Sequence, residues 1–325
     1  MKRRTIIFAA GGLALPAIVR AQGNVASWPD RPIRFVVPFA PGGNTDSVGR
    51  IAAQYLGEAL GRSIVVENRG GAGGIIGSDV VAKSAPDGYT FLVGSIGSIT
   101  ISPAIERMPY DPLKDLAPVS LLNTNPLILV GRKNLGLTSV QAVVARAKEK
   151  PESLTYGSSG IGGLMHVSAL LFESRSGAKL THVPYRGGAP AVAALLSGEV
   201  DLVFANMSDA LPQVKAGSII PIGVTTPGRS AELPEVPTVA EAGVPGFATE
   251  SWNGLFAPAT TSPDIVSRLS ALCARMAADA TVRQRMASFG SVAVSSTPEE
   301  FGRMLREETA QWATTLQAAG LSASK

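Results

Sequence analysis

Cysteine and histidine are scarce in this sequence, which has one cysteine and two histidines among 325 residues. A single cysteine cannot form an internal disulfide bond, and these three residues lack the spacing of a metal site. Cys273 falls in an apolar helical pattern, which indicates a buried thiol and not a reactive one. We therefore expect no disulfide framework, no bound metal and no other cofactor.

Long hydrophobic runs are also missing, except for one apolar stretch from Thr5 to Val19. This stretch is too short and too rich in glycine and alanine for a membrane span. It follows the basic residues Lys2–Arg4, and Val19–Ala21 resembles a cleavage site for a leader. We predict that residues 1–21 are a cleaved signal peptide, which directs export to the periplasm by the general or the twin-arginine route.

An excess of positive charge is confined to the predicted signal peptide. The chain has 29 basic and 25 acidic residues, and four of the basic ones lie within residues 1–21. The mature protein would then carry no net charge, so its composition gives no support for binding to nucleic acid or to a membrane surface. We expect a soluble monomer.

The glycine-rich segment Arg69–Gly77 follows a predicted strand and precedes a predicted helix, as a dinucleotide-binding loop would. Its glycines are spaced G-x-G-x-x-x-G, and the next predicted strand, Tyr89–Val93, does not end with an acidic residue for a ribose. The phosphate-loop pattern is absent as well. These departures argue against a nucleotide cofactor and favour a loop at the edge of a lobe.

A serine hydrolase is the enzymatic alternative. Ser158 and Ser159 lie in a second glycine-rich turn, and His166 could act as their base. The segment Gly157–Gly160 does not match the G-x-S-x-G motif, because both serines lie between the two glycines. We expect no enzymatic activity, and the sequence leaves this alternative open.

Strand-like and helix-like segments alternate along the mature chain, which predicts an α/β fold with a mainly parallel sheet. A short strand leads through a small-residue loop into a helix at 35–48, 91–99 and 154–166. Loops of this kind on two lobes would face each other across a cleft. Two later helices have clear start signals at Ser262–Pro263 and at the capping box Thr297–Glu300.

The segment Phe39–Asp46 connects a buried strand to a helix through a Pro-Gly-Gly turn. The first N–H groups of a helix have no partner in the helix, and they lie at the positive end of its dipole. Such a turn suits an anion, and it contains no lysine or nucleophile. The turn at Ser158 and Ser159 adds hydroxyl donors. Together they predict a site that holds a small acid without reacting with it.

Motifs spread in order over the mature chain resemble the Bug-type, or TctC-like, receptors of tripartite tricarboxylate transporters. The matching segments are Trp28–Ile33, Val37–Asp46, Glu67–Gly74, Pro86–Thr90, Tyr156–Gly160, Val183–Gly187, Leu195–Asp201 and Leu233–Gly243. Their number and order make this resemblance far more specific than any single loop.

The resemblance implies the type II periplasmic binding protein fold, with two α/β lobes and a ligand cleft between them. It assigns residues 26–125 and 252–325 to lobe 1 and residues 126–251 to lobe 2. It also implies a periplasmic receptor for a small organic carboxylate, which passes the ligand to the membrane permease of a tripartite tricarboxylate transporter. A sensor that signals to a membrane kinase is the alternative, and these motifs do not specify which carboxylate is bound.

The resemblance further implies which residues contact the ligand. Two strand–helix loops hold its carboxylate, and Tyr185 with the loop Ala205–Asp209 contacts the rest of the ligand. The expected ligand-binding residues are Phe39, Ala40, Pro41, Gly42, Gly43, Asn44, Thr45, Asp46, Ser95, Ser158, Ser159, Gly160, His166, Tyr185, Asn206 and Asp209.

Overall fold

The computed structural model of the protein describes residues 28–321. The predicted signal peptide lies outside these residues. The strands are β1 (Ile33–Val37), β2 (Ile64–Asn68), β3 (Thr90–Ser95), β4 (Leu116–Arg132), β5 (Thr155–Ser158), β6 (Thr181–Pro184), β7 (Leu202–Asn206), β8 (Ile219–Val224), β9 (Glu250–Pro258) and β10 (Val292–Ala293). The helices are α1 (Asn44–Leu60), α2 (Ile75–Ala82), α3 (Ser102–Ile105), α4 (Val140–Glu149), α5 (Leu164–Ser176), α6 (Gly188–Ser197), α7 (Met207–Lys215), α8 (Pro263–Ala278), α9 (Ala280–Ala287) and α10 (Pro298–Ala318).

The sheet has parallel outer parts and an antiparallel centre. Its strand order is β2-β1-β3-β9-β4-β7-β5-β6, with β8 and β10 also paired to β4. β1 is parallel to β2 and β3, and β5 is parallel to β6 and β7. The prediction of a mainly parallel sheet is wrong for the centre, where β4 and β9 are antiparallel to each other and to their other neighbours.

The long strand β4 joins the two parallel parts. From Leu116 to Pro126 it pairs with β9, and from Leu127 to Arg132 it pairs with β7 and β8. The change of partner thus falls between Pro126 and Leu127. The lobe boundaries implied by the family resemblance stay a prediction.

Two apolar cores pack against the sheet, and the larger one extends over both parallel parts, from Val36 and Leu92 to Phe204. Phe35 and Phe91 pack edge to face at 6.0 Å in the core beneath α1 and α8, which also contains the fully buried Cys273. Phe172 and Phe204 pack at 5.5 Å in the other core. The prediction of a buried thiol is confirmed. None of the helices in residues 28–321 is both long and apolar enough to cross a bilayer.

The strand β9 and the helix α10 pack against each other. Trp252 is buried on β9, and its ring lies 5.4 Å from that of Phe301 on α10. The indole Nε1 of Trp252 donates to the carboxylate of Glu308 at 3.0 Å. Trp252 is therefore a core residue of a strand, and α10 is docked on the body of the protein.

The predicted capping box at the start of α10 is present and should contribute measurably to stability. Thr297 Oγ1 accepts from the N–H of Glu300 at 3.1 Å, and the Glu300 carboxylate accepts from the N–H of Thr297 at 2.9 Å. Replacing Thr297 by alanine should lower the free energy of unfolding by about 1 kcal/mol in urea titrations, because one N–H group loses its acceptor. The exposed Thr314 lies in the same helix, and its replacement by alanine should have no destabilising effect.

Candidate ligand-binding site

A narrow cavity lies where the starts of α1 and α5 face the starts of α6 and α7. The space that it leaves for water is about 30 Å³, enough for a few water molecules at most. The lining residues are Phe39, Gly43, Asn44, Thr45, Ser95, Ile96, Gly97, Ser159, Leu164, Met165, Gly188, Asn206, Asp209 and Ser251. An organic acid would enter only if the walls of this cavity moved apart.

The first wall is the start of α1. Within residues 28–321, the backbone N–H groups of Thr45 and Asp46 donate to no other group. These donors lie at the positive end of a helix of 17 residues. The start of α1 therefore retains unused capacity for an anion.

The carboxylate of Asp46 braces this turn from outside the cavity. It accepts from the N–H of Gly42, from Arg50 Nε and from Asn68 Nδ2, each at 2.9 Å. Burial opposes ionisation of Asp46, but these hydrogen bonds prevail and lower its pKa. Asp46 is thus held in place by the protein's own donors.

Four buried asparagines fix the start of α1 to the centre of the sheet. Asn44 Nδ2 donates to Asn253 Oδ1 at 2.8 Å, and Asn44 Oδ1 accepts from Asn125 Nδ2 at 2.9 Å and from Asn123 Nδ2 at 3.3 Å. All four side chains are almost fully buried. This asparagine network connects α1 to both β4 and β9, so the position of the helix start depends on it.

Asp209 forms the wall opposite α1. Its Oδ1 accepts from the backbone N–H of Asn44 at 2.7 Å, and its Oδ2 accepts from Asn206 Nδ2 at 3.1 Å. Burial raises the pKa of Asp209 to about 6, although both hydrogen bonds favour its ionised form. A carboxylate of the protein itself thus accepts from one N–H group, that of Asn44, in the anion site predicted at the start of α1.

The start of α5 supplies the other wall. Gly163 precedes this helix without a side-chain cap, and within the described chain the N–H groups of Leu164 and Met165 donate to no other group. The hydroxyl groups of Ser95, Ser159 and Ser251 also line the cavity and make no hydrogen bond to another described residue. The cavity therefore combines free backbone N–H groups from two helix starts with three free hydroxyl groups.

Ser158 points away from this cavity and binds a different histidine from the one expected. Its Oγ lies 2.6 Å from His182 Nε2, accepts from the N–H of Gly160 at 3.1 Å, and is fully buried. His166 Nδ1 accepts from the N–H of Gly162 at 3.2 Å. The pairing expected for a hydrolase, of Ser158 with His166, is not formed.

The two histidines form a stacked pair that should make the protein sensitive to acid. The rings of His166 and His182 lie 4.1 Å apart, and burial lowers the pKa of each to about 4. The unfolded chain, in which a histidine has a pKa of about 6.5, binds more protons below that value. The stability provided by the neutral rings should therefore be lost as the pH falls from about 6.5 towards 4.

Urea titrations between pH 7.5 and pH 4.5 would measure this loss as a fall in the free energy of unfolding. Replacing His182 by glutamine, which can still bond to Ser158, should remove about half of the pH dependence in this range. An equally steep dependence in this variant would exclude the stacked pair as its cause.

The glycine-rich segment Arg69–Gly77 contacts the loop before α5. A Cβ atom on Gly73 would overlap the carbonyl oxygen of Ile161, and one on Gly160 would lie 2.7 Å from the backbone nitrogen of Gly73. The two loops are therefore in backbone contact beside the cavity. This close approach explains why glycines are needed there without a nucleotide.

Half of the expected ligand-binding residues line the cavity. These are Phe39, Gly43, Asn44, Thr45, Ser95, Ser159, Asn206 and Asp209. The other eight, which lie outside its lining, are Ala40, Pro41, Gly42, Asp46, Ser158, Gly160, His166 and Tyr185. Among the latter, the Ala40 N–H donates to the Arg186 carbonyl at 2.9 Å, and the Tyr185 hydroxyl donates to Glu199 at 2.8 Å.

Six lining residues were not among those expected: Ile96, Gly97, Leu164, Met165, Gly188 and Ser251. Leu164 and Met165 open a predicted helix, so the argument from helix starts that was applied to α1 could have found them. No local signal marks Gly188 or Ser251, which reach the cavity only through the packing of α6 and β9.

Comparisons with known proteins agree with this architecture. The family model for the "Tripartite tricarboxylate transporter family receptor" matches residues 48–321. The structure of Rpa4515 from R. palustris with adipate is 36% identical, with a TM-score of 0.88 over 91% of this chain and 100% of that chain. MatC from Rhodopseudomonas palustris with bound malate is 33% identical, with a TM-score of 0.86 over 89% and 100%.

A third structure identifies the fold. The periplasmic binding protein BugD is 32% identical to this chain, with a TM-score of 0.87 over 91% of this chain and 100% of that chain. The predicted α/β fold, that of a periplasmic binding protein with two lobes and a ligand cleft, is confirmed. The expected resemblance to Bug-type, TctC-like receptors is confirmed as well, and the chain belongs to the family of tripartite tricarboxylate transporter receptors.

Proposed function

We propose that this protein is a periplasmic receptor that binds a small organic carboxylate in the cavity between its lobes. One observation carries the proposal: free N–H groups at the starts of α1 and α5 converge on one cavity. Backbone donors at helix starts favour an anion without any basic side chain. The hydroxyl groups of Ser95, Ser159 and Ser251 add donors that can orient a carboxylate.

Two solved relatives support the class of ligand. Their structures contain adipate and malate, which are both dicarboxylates. Because they are at least 33% identical to this chain and cover most of it, a carboxylate is the natural candidate here as well. The family match likewise supports delivery of the ligand to the membrane permease of a tripartite tricarboxylate transporter.

Binding would proceed by separation and closure of the two lobes. The space of about 30 Å³ excludes an organic acid while the walls stay in place. Closure would then exclude water and strengthen the hydrogen bonds to the ligand. The permease would receive the closed, loaded receptor, whose surface differs from that of the open form.

Binding without chemical reaction is part of the proposal. Ser158 has a histidine partner but no exposed surface, so a substrate cannot reach its hydroxyl group in this conformation. Ser159, which does line the cavity, makes no hydrogen bond to a histidine within residues 28–321. A fluorophosphonate probe should therefore label neither serine, which mass spectrometry of the treated protein would show. Labelling of either serine would instead support the serine hydrolase.

Isothermal titration calorimetry would test the function directly. The mature protein is unfolded in denaturant to release any co-purified ligand, refolded, and titrated with mono-, di- and tricarboxylates and with acidic amino acids. At least one of them should bind with a dissociation constant in the micromolar range or below, roughly −8 kcal/mol. If none of them binds to the refolded protein, the proposed function is wrong.

A further inference from the structure

Asp209 is the only charged side chain among the described residues that line the cavity. It occupies the third position of α7, and its two oxygens have separate donors. Oδ1 accepts from the N–H of Asn44 at 2.7 Å, and Oδ2 accepts from Asn206 Nδ2 at 3.1 Å. Each oxygen can accept a further hydrogen bond, so the carboxylate can also serve a ligand.

The start of α6 leaves room for this carboxylate. A Cβ atom on Gly188 would overlap Asp209 Oδ2, so any other residue at this position would displace the carboxylate. The carboxylate therefore belongs to the wall of the cavity. Glycine at 188 and the donor groups of Asn44 and Asn206 together keep it there.

This carboxylate changes which ligands the cavity can accept. The ionised group places a negative charge beside the bound ligand, and no lysine or arginine of residues 28–321 lines the cavity to offset it. A second ionised carboxylate close to Asp209 would be repelled, and the repulsion grows when closure removes water. An ammonium group at the same place would instead form a charge-assisted hydrogen bond.

We propose that Asp209 selects an amino carboxylate, whose ammonium group it binds while the free donors of α1 and α5 hold the carboxylate. This inference rests on the proposed function and specifies the ligand class for the same cavity. The ligand would carry at least one carboxylate and also an ammonium group, which a plain diacid lacks.

Two pairs of probes isolate the contribution of the ammonium group. The first pair is 6-aminohexanoate and adipate, in which an ammonium replaces one carboxylate. The second is L-glutamate and glutarate, in which an ammonium is added to the same diacid. Calorimetric titrations at pH 8, above the pKa of about 6 of Asp209, measure all four dissociation constants with the refolded mature protein. The amino member of at least one pair should bind roughly tenfold more tightly or better, which corresponds to 1.4 kcal/mol.

The variant Asp209→Asn removes the charge and keeps the size of the side chain, so it should reduce this preference by a factor of about ten. Thermal unfolding would show whether the amide of Asp209→Asn disturbs folding. If it does, Asp209→Ser serves as the second variant without the charge. Asp264→Asn makes the same change at an exposed position in α8 and should leave all four constants unaltered.

The outcomes separate this inference from the proposed function. If the plain diacids bind the wild-type protein as tightly as their amino partners, or if both variants keep the preference, the inference is wrong while the carboxylate receptor stands. If no carboxylate of the wider panel binds, both are wrong.

Discussion

Replacing Asn44 by alanine is expected to lower the free energy of unfolding by about 2 to 4 kcal/mol, the largest effect that we predict for a single side chain. The alanine would leave Asn125 Nδ2 and Asn253 Oδ1 buried without their partners. A buried polar group without a hydrogen bond costs about 1 to 3 kcal/mol. Asn123 would suffer less, because its amide also donates to Ser291 Oγ at 2.7 Å.

Urea titrations at neutral pH would measure the loss. The matched control is Asn134→Ala, since Asn134 is exposed and the same atoms are removed there. The control should change stability by no more than about 0.5 kcal/mol. A loss below about 1 kcal/mol for Asn44→Ala would mean that water replaces the missing amide, and that the asparagine network does not hold the start of α1.

Replacing Gly73 by alanine is expected to weaken ligand binding strongly while it changes stability only moderately. A Cβ atom at this position would overlap the carbonyl oxygen of Ile161, which is a backbone atom and cannot move aside alone. The two loops would then have to separate, and they follow β2 and β5, which belong to different parallel parts of the sheet. The overlap would raise the free energy of the closed form relative to that of the open form. Because the ligand is held by the closed form, the observed affinity should fall by roughly tenfold or more.

Gly61→Ala is a close control for this substitution. Gly61 has a φ of 65°, near the value of 59° at Gly73, but a Cβ atom there would meet no other atom within 4 Å. Both variants carry the cost of an alanine in the left-handed region, about 1 to 2 kcal/mol, and only Gly73→Ala adds the overlap. Calorimetry with the best ligand of the carboxylate panel should show lost affinity for Gly73→Ala alone. Equal affinities for the two variants would contradict a role of this contact in closure.

The sequence predicts the parallel parts of the fold well and the antiparallel centre poorly. In the outer parts, short apolar strands and amphipathic helices alternate in a pattern that can be read locally. In β4 and β9, the buried residues Asn123, Asn125 and Asn253 interrupt the apolar pattern. Their burial is possible only because they bond to one another and to Asn44, and that depends on segments distant in the sequence.

The candidate site is predictable where it depends on backbone geometry at helix starts. The argument from free N–H groups predicts a site at the start of α1, where Asn44 and Thr45 line the cavity, and the same argument at α5 covers Leu164 and Met165, which the expected residues omit. It could not anticipate that Asp46 would be held by Arg50 and Asn68, or that Ser158 would turn towards His182. Those partners are fixed by tertiary packing, which a local pattern does not contain.

The pairing of β3 with β9 determines the order in which the protein can be completed during its synthesis. Leu92 of β3 lies opposite Phe256 of β9, so one neighbour of β3 is made only after most of the chain. A sheet that lacks this strand exposes an unpaired edge and part of its core. The first parallel part therefore cannot reach its final form until β9 has been synthesised. The growing chain thus lacks part of its core until the segment of Trp252 and Phe256 has been made, and a chain that is stopped before this segment cannot complete its sheet.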